Sequence, residues 1–348
     1  WEEARSFPRE LYRKAAQVGL LGLGFPEAYG GVEVDSVFGL VATDELTRCG
    51  SGGVVAGLMS HAIGAPPIAN LGSDALKEEV LPSILDGSSI CALAITEPGG
   101  GSDVANLTTR ARREGDDYVI NGQKTFITSG MRADFITTAV RTGGEGMGGV
   151  SLIVVPGDAS GLQRTKLEKM GWWCSDTATL YFEECRVPAR YLVGGENMGF
   201  MGIMQNFNAE RLSVAAMAWG FSKVCFEEAL AWAKERRTFG KPLVRHQVIR
   251  HKLVDMATAI AGVKATLEDL YWRVDQGEWP VAEVCMMKNR ATQCLELCAK
   301  EAVQILGGAG YIRGTASERI YRETKVLSIG GGTEEIMKEL AARQSGWM

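Results

Sequence analysis

Two nearby segments combine hydroxyl side chains with a glycine-rich turn. Residues 92–103 read ALAITEPGGGSD and residues 121–128 read NGQKTFIT. Three consecutive glycines carry no side chains and tolerate positive φ, so backbone N–H groups can closely approach a phosphate or a ring carbonyl. Thr96, Ser102 and Thr128 add hydroxyl donors. The two segments suit a flat polar ligand, although tight loops that bind nothing also use glycines of this kind.

A carboxylate and a guanidinium interrupt an apolar stripe in the C-terminal half of the chain. The stripe has helical spacing and consists of Phe200, Ile203, Met204, Phe207, Val214 and Met217. Glu210 and Arg211 follow Phe207 by three and four positions, so both side chains should project toward the packed side. The pair could be a structural ion pair. Alternatively Glu210 could be a base, because desolvation raises the pKa of a carboxyl toward the range needed to take a carbon-bound proton.

Composition excludes several classes of protein. The chain has 348 residues, 46% hydrophobic and 23% charged, which is enough for a large core and for two or three domains. A net charge of -5 gives no general basic surface for nucleic acid or anionic lipid. No apolar run reaches the ~18 residues that span a bilayer, so no membrane span is predicted.

Cysteine and histidine usage indicates neither disulfides nor a metal site. The eight cysteines are scattered and none forms a CxxC pair, which favours reduced thiols in a reducing compartment. Only three histidines are present, and we expect no metal. Because the chain starts at Trp1 rather than Met, we also expect it to begin inside a longer protein, in which any targeting peptide would be lost from view.

The hydrophobic periodicity changes twice along the chain. Helical patterns cover 11–18, 37–48 and 75–85. Short runs of period two follow at 118–120, 135–140 and 152–155, and Asn121-Gly122 predicts a type I′ hairpin. Long helical patterns return at 200–235, 245–276, 282–306 and after Gly332, as expected of a helix bundle.

In this order, the segments resemble the acyl-CoA dehydrogenase family over essentially the whole chain. The resemblance implies an α+β fold with a helical domain at 1–89, a middle β-barrel or β-sandwich domain at 90–197 and a C-terminal four-helix bundle at 198–348. It also implies an FAD-dependent enzyme that converts an acyl-CoA thioester to the trans-2-enoyl-CoA.

The position of the catalytic base suggests a subgroup. Many members carry a catalytic Glu near the C-terminus, within Tyr-Glu-Gly-Thr, whereas residues 329–333 here read IGGGT, with Gly331 in place of that Glu. In isovaleryl-CoA and long-chain acyl-CoA dehydrogenases the base stands on the long helix directly before an Arg. Glu210 stands there in this chain, so the resemblance implies that Glu210 is the base.

The resemblance also implies the FAD contacts. Phe126 replaces the Trp commonly found against the flavin, Arg236 and Thr238 would hold pyrophosphate of a neighbouring subunit's FAD, and Glu335 stands where relatives often have Gln. The full predicted set is Leu93, Ile95, Thr96, Gly101, Ser102, Phe126, Ile127, Thr128, Arg236, Thr238, Phe239, His246, Gln247, Gln304, Gly307, Gly308, Thr333 and Glu335.

The implied substrate contacts are Ser102, Asn208, Arg211, Gly331 and Gly332. Asn208 occupies a position where several relatives have Asp. The thioester carbonyl would accept hydrogen bonds from a flavin ribityl hydroxyl and from the backbone N–H of Gly331. The absence of a side chain at 331 does not remove this N–H. The space left by Gly331 favours medium-to-long or branched acyl chains.

Expected partners are an electron-transferring flavoprotein and further copies in a homotetramer, and the expected location is the bacterial cytoplasm or the mitochondrial matrix, as a soluble protein. Three alternatives remain open. An acyl-CoA oxidase or a flavin monooxygenase of the same fold would let reduced flavin react with oxygen, although the monooxygenase needs no carboxylate base. A catalytically silent acyl-CoA-binding protein would not need Glu210.

Overall fold

The computed structural model describes residues 1–348 and divides into two compact units. Unit 1 comprises Trp1–Val34 and Gly53–Phe207, and unit 2 comprises Asp35–Gly52 and Asn208–Met348. The division at 1–89, 90–197 and 198–348 stays a prediction.

The chain forms twelve α-helices. They are α1 Glu10–Gln17, α2 Ser36–Thr47, α3 Gly52–Leu58, α4 His61–Gly64, α5 Pro66–Leu71, α6 Asp74–Leu85, α7 Gly199–Glu235, α8 Gln247–Asp275, α9 Val281–Leu306, α10 Gly308–Tyr311, α11 Ala316–Ile329 and α12 Glu334–Gln344. Three of them begin with a hydroxyl cap, where Ser73, Thr315 and Thr333 accept a hydrogen bond from the N–H three residues later.

The chain also contains ten strands and six short 3-10 helices. The strands are β1 Cys91–Ala94, β2 Arg110–Glu114, β3 Asp117–Thr128, β4 Phe135–Arg141, β5 Val150–Pro156, β6 Leu162–Lys166, β7 Thr177–Pro188, β8 Leu192–Val193, β9 Arg237–Thr238 and β10 Lys241–Pro242. The main sheet has the order β6-β7-β3-β2-β4-β5-β8, with β1 added parallel to β4. The sheet stays open and does not close into a barrel. The predicted α+β fold, with helices, a middle sheet and a helical C-terminal part, is confirmed.

The hairpin predicted at Asn121-Gly122 is wrong. Strand β3 continues through both residues, and Gly122 pairs with Phe182 beside an irregularity in register. A Cβ at Gly122, where φ is +145°, would lie 2.6 Å from the Thr109 Cα, so close approach of two backbones explains this glycine. The turn between β2 and β3 lies instead at Gly115, where φ is +62°.

The core of unit 1 is formed by the middle strands and the helices that pack on them. Ile136 and Val154 are completely buried on β4 and β5, and Ile68 and Val80 are completely buried on α5 and α6. No single helix is long and apolar enough to cross a membrane, and one bent pair, Gly52–Leu58 with His61–Leu71, satisfies the length and composition criteria when taken together.

Unit 2 is organised around α9. This helix packs against α8, α11 and α12, and α2 packs against α8. Helix α11 is absent from the sequence prediction because its buried positions include Ser317, Glu323, Thr324 and Ser328, which give no apolar periodicity. None of the eight cysteines forms a disulfide, and only Cys49 is exposed.

Candidate active site

In unit 1, the predicted cofactor residues begin where β1 ends. The Thr96 carbonyl accepts a hydrogen bond from the N–H of Thr125, at 2.9 Å, which connects this segment to β3. A Cβ on Gly101 would lie 3.4 Å from the Thr96 methyl group, so the glycine turn folds back toward Thr96. The structure therefore brings Thr96, Gly101 and the end of β3 together.

Phe126 presents its ring to solvent at an irregular point of β3. The residue is 69% exposed and has φ of +61°, an uncommon conformation for an aromatic residue. The register between β3 and β7 shifts between Lys124 and Ile127. Ile95 and Ile127 are buried in the core, so only their backbone groups remain for a ligand. The other predicted contacts of this unit are the half-buried Leu93 and Thr128 and the exposed Ser102.

Glu97 and Lys124 form a buried ion pair beside these residues, and both carboxylate oxygens of Glu97 accept hydrogen bonds. Lys124 is completely buried, and its Nζ donates to Glu97 Oε1 at 2.8 Å and to the Ile95 carbonyl at 2.9 Å. Glu97 also accepts from the N–H groups of Thr108 and Thr109 and from the Thr108 hydroxyl, at 2.6 to 2.8 Å. Burial acts to raise the pKa of Glu97, but Lys124 and Thr108 lower it to about 2. The pair fastens the end of β1 to β3.

The donor set of unit 1 fits the flavin of FAD. An exposed aromatic ring offers a face to a flat ring system. The hydroxyls of Thr96 and Thr128, together with glycine N–H groups, offer donors to its polar edge. Contact with a flavin would also explain why Phe126 keeps positive φ and points outward.

Glu210 lies on α7 in unit 2 and is half-buried. Its Oε2 atom is buried and has no hydrogen-bond partner. Burial raises the pKa of Glu210 to about 7, against the opposing positive charges of Arg211 and Lys288. The Arg211 guanidinium donates elsewhere, to the Asn208 amide oxygen at 2.9 Å and to the Gly331 carbonyl at 3.2 Å. A desolvated carboxylate with one unbonded oxygen is suited to accept a proton near neutral pH.

The glycine turn at 330–332 faces this carboxylate. Gly331 and Gly332 have φ of +68° and +106°. A Cβ on Gly331 would lie 3.8 Å from Glu210 Oε1 and 3.9 Å from Val214 Cγ2. The N–H of Gly331 donates to no acceptor within the chain. Position 331 and the Glu210 carboxylate therefore border the same small space, with one backbone donor available to a ligand.

Lys288 is a member of this site that the sequence analysis missed. It is completely buried on α9, and its Nζ donates to the carbonyls of Ser328 at 3.1 Å and Gly332 at 2.7 Å. Burial lowers the pKa of Lys288 to about 8, and the carboxylates of Glu334 and Glu210 oppose that effect. The available signal was a lysine within the apolar face of a helical pattern, the kind of interruption that drew attention to Glu210.

A second group of predicted residues surrounds the short β9–β10 hairpin. The Thr238 hydroxyl lies 3.1 Å from His246 Nε2, and the Phe239 ring centroid lies 6.1 Å from that of His246. Phe239 is 95% exposed with φ of +49°. Arg236 and Gln247, which flank the hairpin, are exposed. The group presents a cation, a hydroxyl and an imidazole on one outer surface.

The remaining predicted FAD residues lie at two helix ends. Gln304, Gly307 and Gly308 are exposed where α9 ends. The Thr333 hydroxyl caps α12 by accepting from the Ile336 N–H at 3.4 Å, so this side chain already has a structural role. Glu335 is exposed in the first turn of α12.

Comparison with known proteins gives matches along most of the chain. Models of the N-terminal, middle and C-terminal domains of acyl-CoA dehydrogenase match residues 1–88, 92–185 and 197–346. The chain is 39% identical to acyl-CoA dehydrogenase AFT10-1 of Alternaria alternata, covering 90% of this chain and 75% of that relative. It is 36% identical to the mitochondrial long-chain specific acyl-CoA dehydrogenase of Rattus norvegicus, covering 99% and 81%.

A solved structure is similar over the same extent. A crystal structure described as a probable acyl-CoA dehydrogenase from Mycobacterium abscessus is 51% identical, with a TM-score of 0.98 and coverage of 99% of this chain and 93% of that one. At 51% identity, the two proteins are similar in amino-acid sequence as well as in fold.

Proposed function

The chain belongs to the acyl-CoA dehydrogenase family and is an FAD-dependent oxidoreductase acting on acyl-CoA, and we propose that Glu210 is its base and that its substrate is a medium-to-long or methyl-branched acyl-CoA. The observation that carries the assignment of the base is the Glu210 carboxylate, whose buried Oε2 has no partner. Oxidation forms the trans-2 double bond by removing a proton from the α-carbon and a hydride from the β-carbon.

In the proposed reaction Glu210 takes the α-proton. Its pKa of about 7 leaves a substantial carboxylate fraction at neutral pH and makes the carboxylate a stronger base than an exposed one. Bound FAD supplies the acceptor for the β-hydride. The N–H of Gly331 donates to the thioester carbonyl as enolate charge builds, which lowers the barrier to α-proton removal.

The substrate class is proposed from the space beside the base. The Cβ of any other residue at 331 would lie 3.8 Å from Glu210 Oε1, so Gly331 leaves room beside the reacting carbons that a side chain would occupy. This room favours bulky or branched acyl groups over butyryl-CoA. The name of the long-chain specific relative agrees with this preference.

The remaining roles are proposed on the family resemblance. Leu93, Ile95, Thr96, Phe126, Ile127 and Thr128 would hold the flavin, and Ser102, Asn208 and Arg211 would contact the acyl-CoA. Residues that would reach FAD of a neighbouring subunit, in a proposed homotetramer built as a dimer of dimers, are Arg236, Thr238, Phe239, His246, Gln247, Gln304, Gly307 and Gly308. Electron-transferring flavoprotein would accept the electrons, in the bacterial cytoplasm or the mitochondrial matrix.

The test is anaerobic flavin reduction by a panel of acyl-CoA thioesters. Purified protein with FAD is mixed with butyryl-, octanoyl-, palmitoyl- and isovaleryl-CoA, and loss of the oxidised flavin absorbance is followed in a stopped-flow instrument. We expect one of the last three to give the highest ratio of reduction rate to dissociation constant. Butyryl-CoA as the best substrate would contradict the pocket argument.

A second stage identifies the electron acceptor. Air is admitted to the reduced enzyme, and hydrogen peroxide is measured with and without an electron-transferring flavoprotein. Slow reaction with oxygen and fast transfer to the flavoprotein are expected of a dehydrogenase, whereas rapid peroxide formation would identify an oxidase.

A further inference from the structure

The glycine turn at 330–332 has little rigidity of its own. Glycine loses more conformational freedom on folding than any other residue, and two of these three glycines have positive φ. The turn nevertheless has to hold the Gly331 N–H at one place if that N–H is to bind a carbonyl. Contacts from outside the turn must supply this rigidity.

Those contacts come from two buried cations and one helix end. The Gly330 N–H donates to the Val326 carbonyl at 2.7 Å, at the end of α11. Arg211 Nε donates to the Gly331 carbonyl at 3.2 Å. Lys288 Nζ donates to the Gly332 carbonyl at 2.7 Å. The Gly331 N–H belongs to the peptide unit between Gly330 and Gly331. The preceding unit is held by the Val326 carbonyl and the following unit by Arg211.

Lys288 holds both sides of the turn with a single ammonium group. Its second bond, at 3.1 Å, goes to the Ser328 carbonyl, two residues before the glycines. Fixing Ser328 and Gly332 to the same Nζ sets the distance that the intervening glycines must cross. The side chain is completely buried and makes no ion pair within 4 Å, an expensive arrangement for a lysine.

We propose that Lys288 is a positioning residue for the reaction, one that fixes the Ser328–Gly332 turn so that the Gly331 N–H meets the thioester carbonyl. The inference rests on the proposed function, in which that N–H stabilises the developing enolate. Lys288 touches neither substrate nor cofactor in this scheme. It positions the turn through the backbone, and its charge separately lowers the pKa of Glu210. Its loss should weaken carbonyl polarisation and slow proton removal, with little change in acyl-CoA affinity.

The experiment compares Lys288→Met with the natural protein, both loaded with FAD. The probe is trans-2-decenoyl-CoA labelled with ¹³C at the thioester carbonyl, and isotope-edited infrared difference spectra give the carbonyl stretch of the bound probe. The natural protein should shift the stretch to lower frequency than in water, and the variant should lose most of the shift. Because loss of the Lys288 charge also raises the pKa of Glu210, flavin reduction by decanoyl-CoA is compared at the high-pH plateau of each protein. That rate should fall about 10- to 100-fold, as a displacement of ~1 Å would produce, with a dissociation constant changed less than about threefold.

Asn289→Ala is the matched control on the same helix. Asn289 Nδ2 donates to the Glu334 carbonyl at 3.0 Å, so the variant loses a buried bond between α9 and α12 but not the contact with Gly332. Its thermal stability should fall, while the carbonyl stretch and the reduction rate stay near those of the natural protein. An equal loss of carbonyl shift in both variants would overturn the positioning role.

The remaining outcomes separate this inference from the proposed function. Should the natural protein show neither a carbonyl shift nor flavin reduction, the proposed function fails. Should it show both and Lys288→Met keep both, the role of Lys288 fails. Lys288→Gln, which keeps a neutral donor, replaces the Met variant if that one does not retain FAD, and failure of both to retain FAD would show a structural role instead.

Discussion

Unit 1 and unit 2 each bury a lysine close to a glutamate, with opposite results. In unit 1, Lys124 bonds directly to Glu97, and three further donors complete the carboxylate. In unit 2, Lys288 donates hydrogen bonds to the carbonyls of Ser328 and Gly332, and the Oε2 atom of Glu210 has no hydrogen-bond partner. The same two side-chain types thus form a closed pair in one unit and an open site in the other.

The difference shows that hydrogen bonding to the carboxylate, rather than burial alone, decides whether a buried glutamate stays ionised near neutral pH. Glu97 is buried and Glu210 is half-buried with its Oε2 shielded from solvent, and this burial acts to raise both pKa values. Direct donors then lower the pKa of Glu97 to about 2, whereas the nearby charges leave that of Glu210 at about 7. Glu97 cannot take a proton near neutral pH, and Glu210 can.

Replacing each glutamate by glutamine should separate their roles most clearly in the rate of flavin reduction. Glu210→Gln keeps size and removes the proton acceptor, so reduction by acyl-CoA should fall about 10²- to 10⁴-fold while FAD stays bound. Stopped-flow reduction under anaerobic conditions measures this directly. Near-normal reduction would show that another group is the base.

The Glu97→Gln variant should lose stability instead. It leaves the Lys124 ammonium buried without its carboxylate, a change that costs about 3–5 kcal/mol in comparable buried pairs. Urea denaturation with and without FAD would measure the free energy of unfolding. Glu268→Gln, in the exposed pair with Lys264, is the control and should change stability little. A similar small effect of Glu97→Gln would remove the contrast between the two sites.

Glu210→Gln should change stability in the opposite direction to Glu97→Gln. The folded state raises the pKa of Glu210 from 4.5 to about 7, so it binds the extra proton and loses stability relative to the unfolded chain as pH rises between those values. At pH 8 the neutral amide should therefore be more stable than the natural protein, by roughly 1–3 kcal/mol. At pH 5 the gain should be small. Urea denaturation at the two pH values tests this, and a gain independent of pH would contradict the assignment.

The pH dependence of flavin reduction should report the same group. With a pKa of about 7, Glu210 is protonated in acid, so the rate should rise with pH, reach half of its maximum near pH 7 and fall about tenfold per unit below it. Arg211 and Lys288 supply the charges that keep this pKa from rising further. A flat profile between pH 5.5 and 8, with chemistry as the slow step, would exclude Glu210 as the titrating base.

The sequence pattern singled out Glu210 but not Lys288, which lies near it. A charged pair inside an apolar helical stripe pointed to Glu210, because strong 3.6-residue periodicity places side chains on a face without any tertiary information. Lys288 lies within an equally apolar pattern, but nothing local indicates that its partners are backbone carbonyls from a turn about 40 residues later. Contacts of this kind become visible only when the bundle is assembled.

Local turn signals failed where long-range pairing prevailed. Asn121-Gly122 has the strongest dipeptide preference for a hairpin, yet β7 pairs along most of β3 and carries the strand through it. The ion pair of Glu97 and Lys124 was also not predicted. Its two residues are 27 positions apart, and neither interrupts an apolar pattern of regular spacing. The order of helical and strand patterns predicted the fold class, the assignment of Glu210 as base stays a prediction, and the supporting bonds could not be predicted from local patterns.

The last and smallest expected effect is the transfer of the carboxylate between α7 and the glycine turn. Because a Cβ at 331 would lie 3.8 Å from Glu210 Oε1, a carboxylate at either position can reach the same space. Glu210→Gly should nearly abolish flavin reduction. Adding Gly331→Glu should make reduction several-fold faster than in Glu210→Gly alone. Recovery stays partial, because φ of +68° at 331 strains any residue other than glycine by about 1–2 kcal/mol and a displaced base reacts more slowly.

Single-turnover flavin reduction by octanoyl-CoA and isovaleryl-CoA shows whether the recovered rate comes from a base at position 331 or from another effect of the added side chain. A side chain at 331 occupies volume beside the reacting carbons, so the straight chain should recover more than the branched one. Glu210→Gly with Gly331→Gln is the matched control, since it carries the same volume and strain without a proton acceptor. Equal rates for the Glu and Gln double variants with both substrates, when FAD is retained, would mean that position 331 and Glu210 do not serve one reacting carbon.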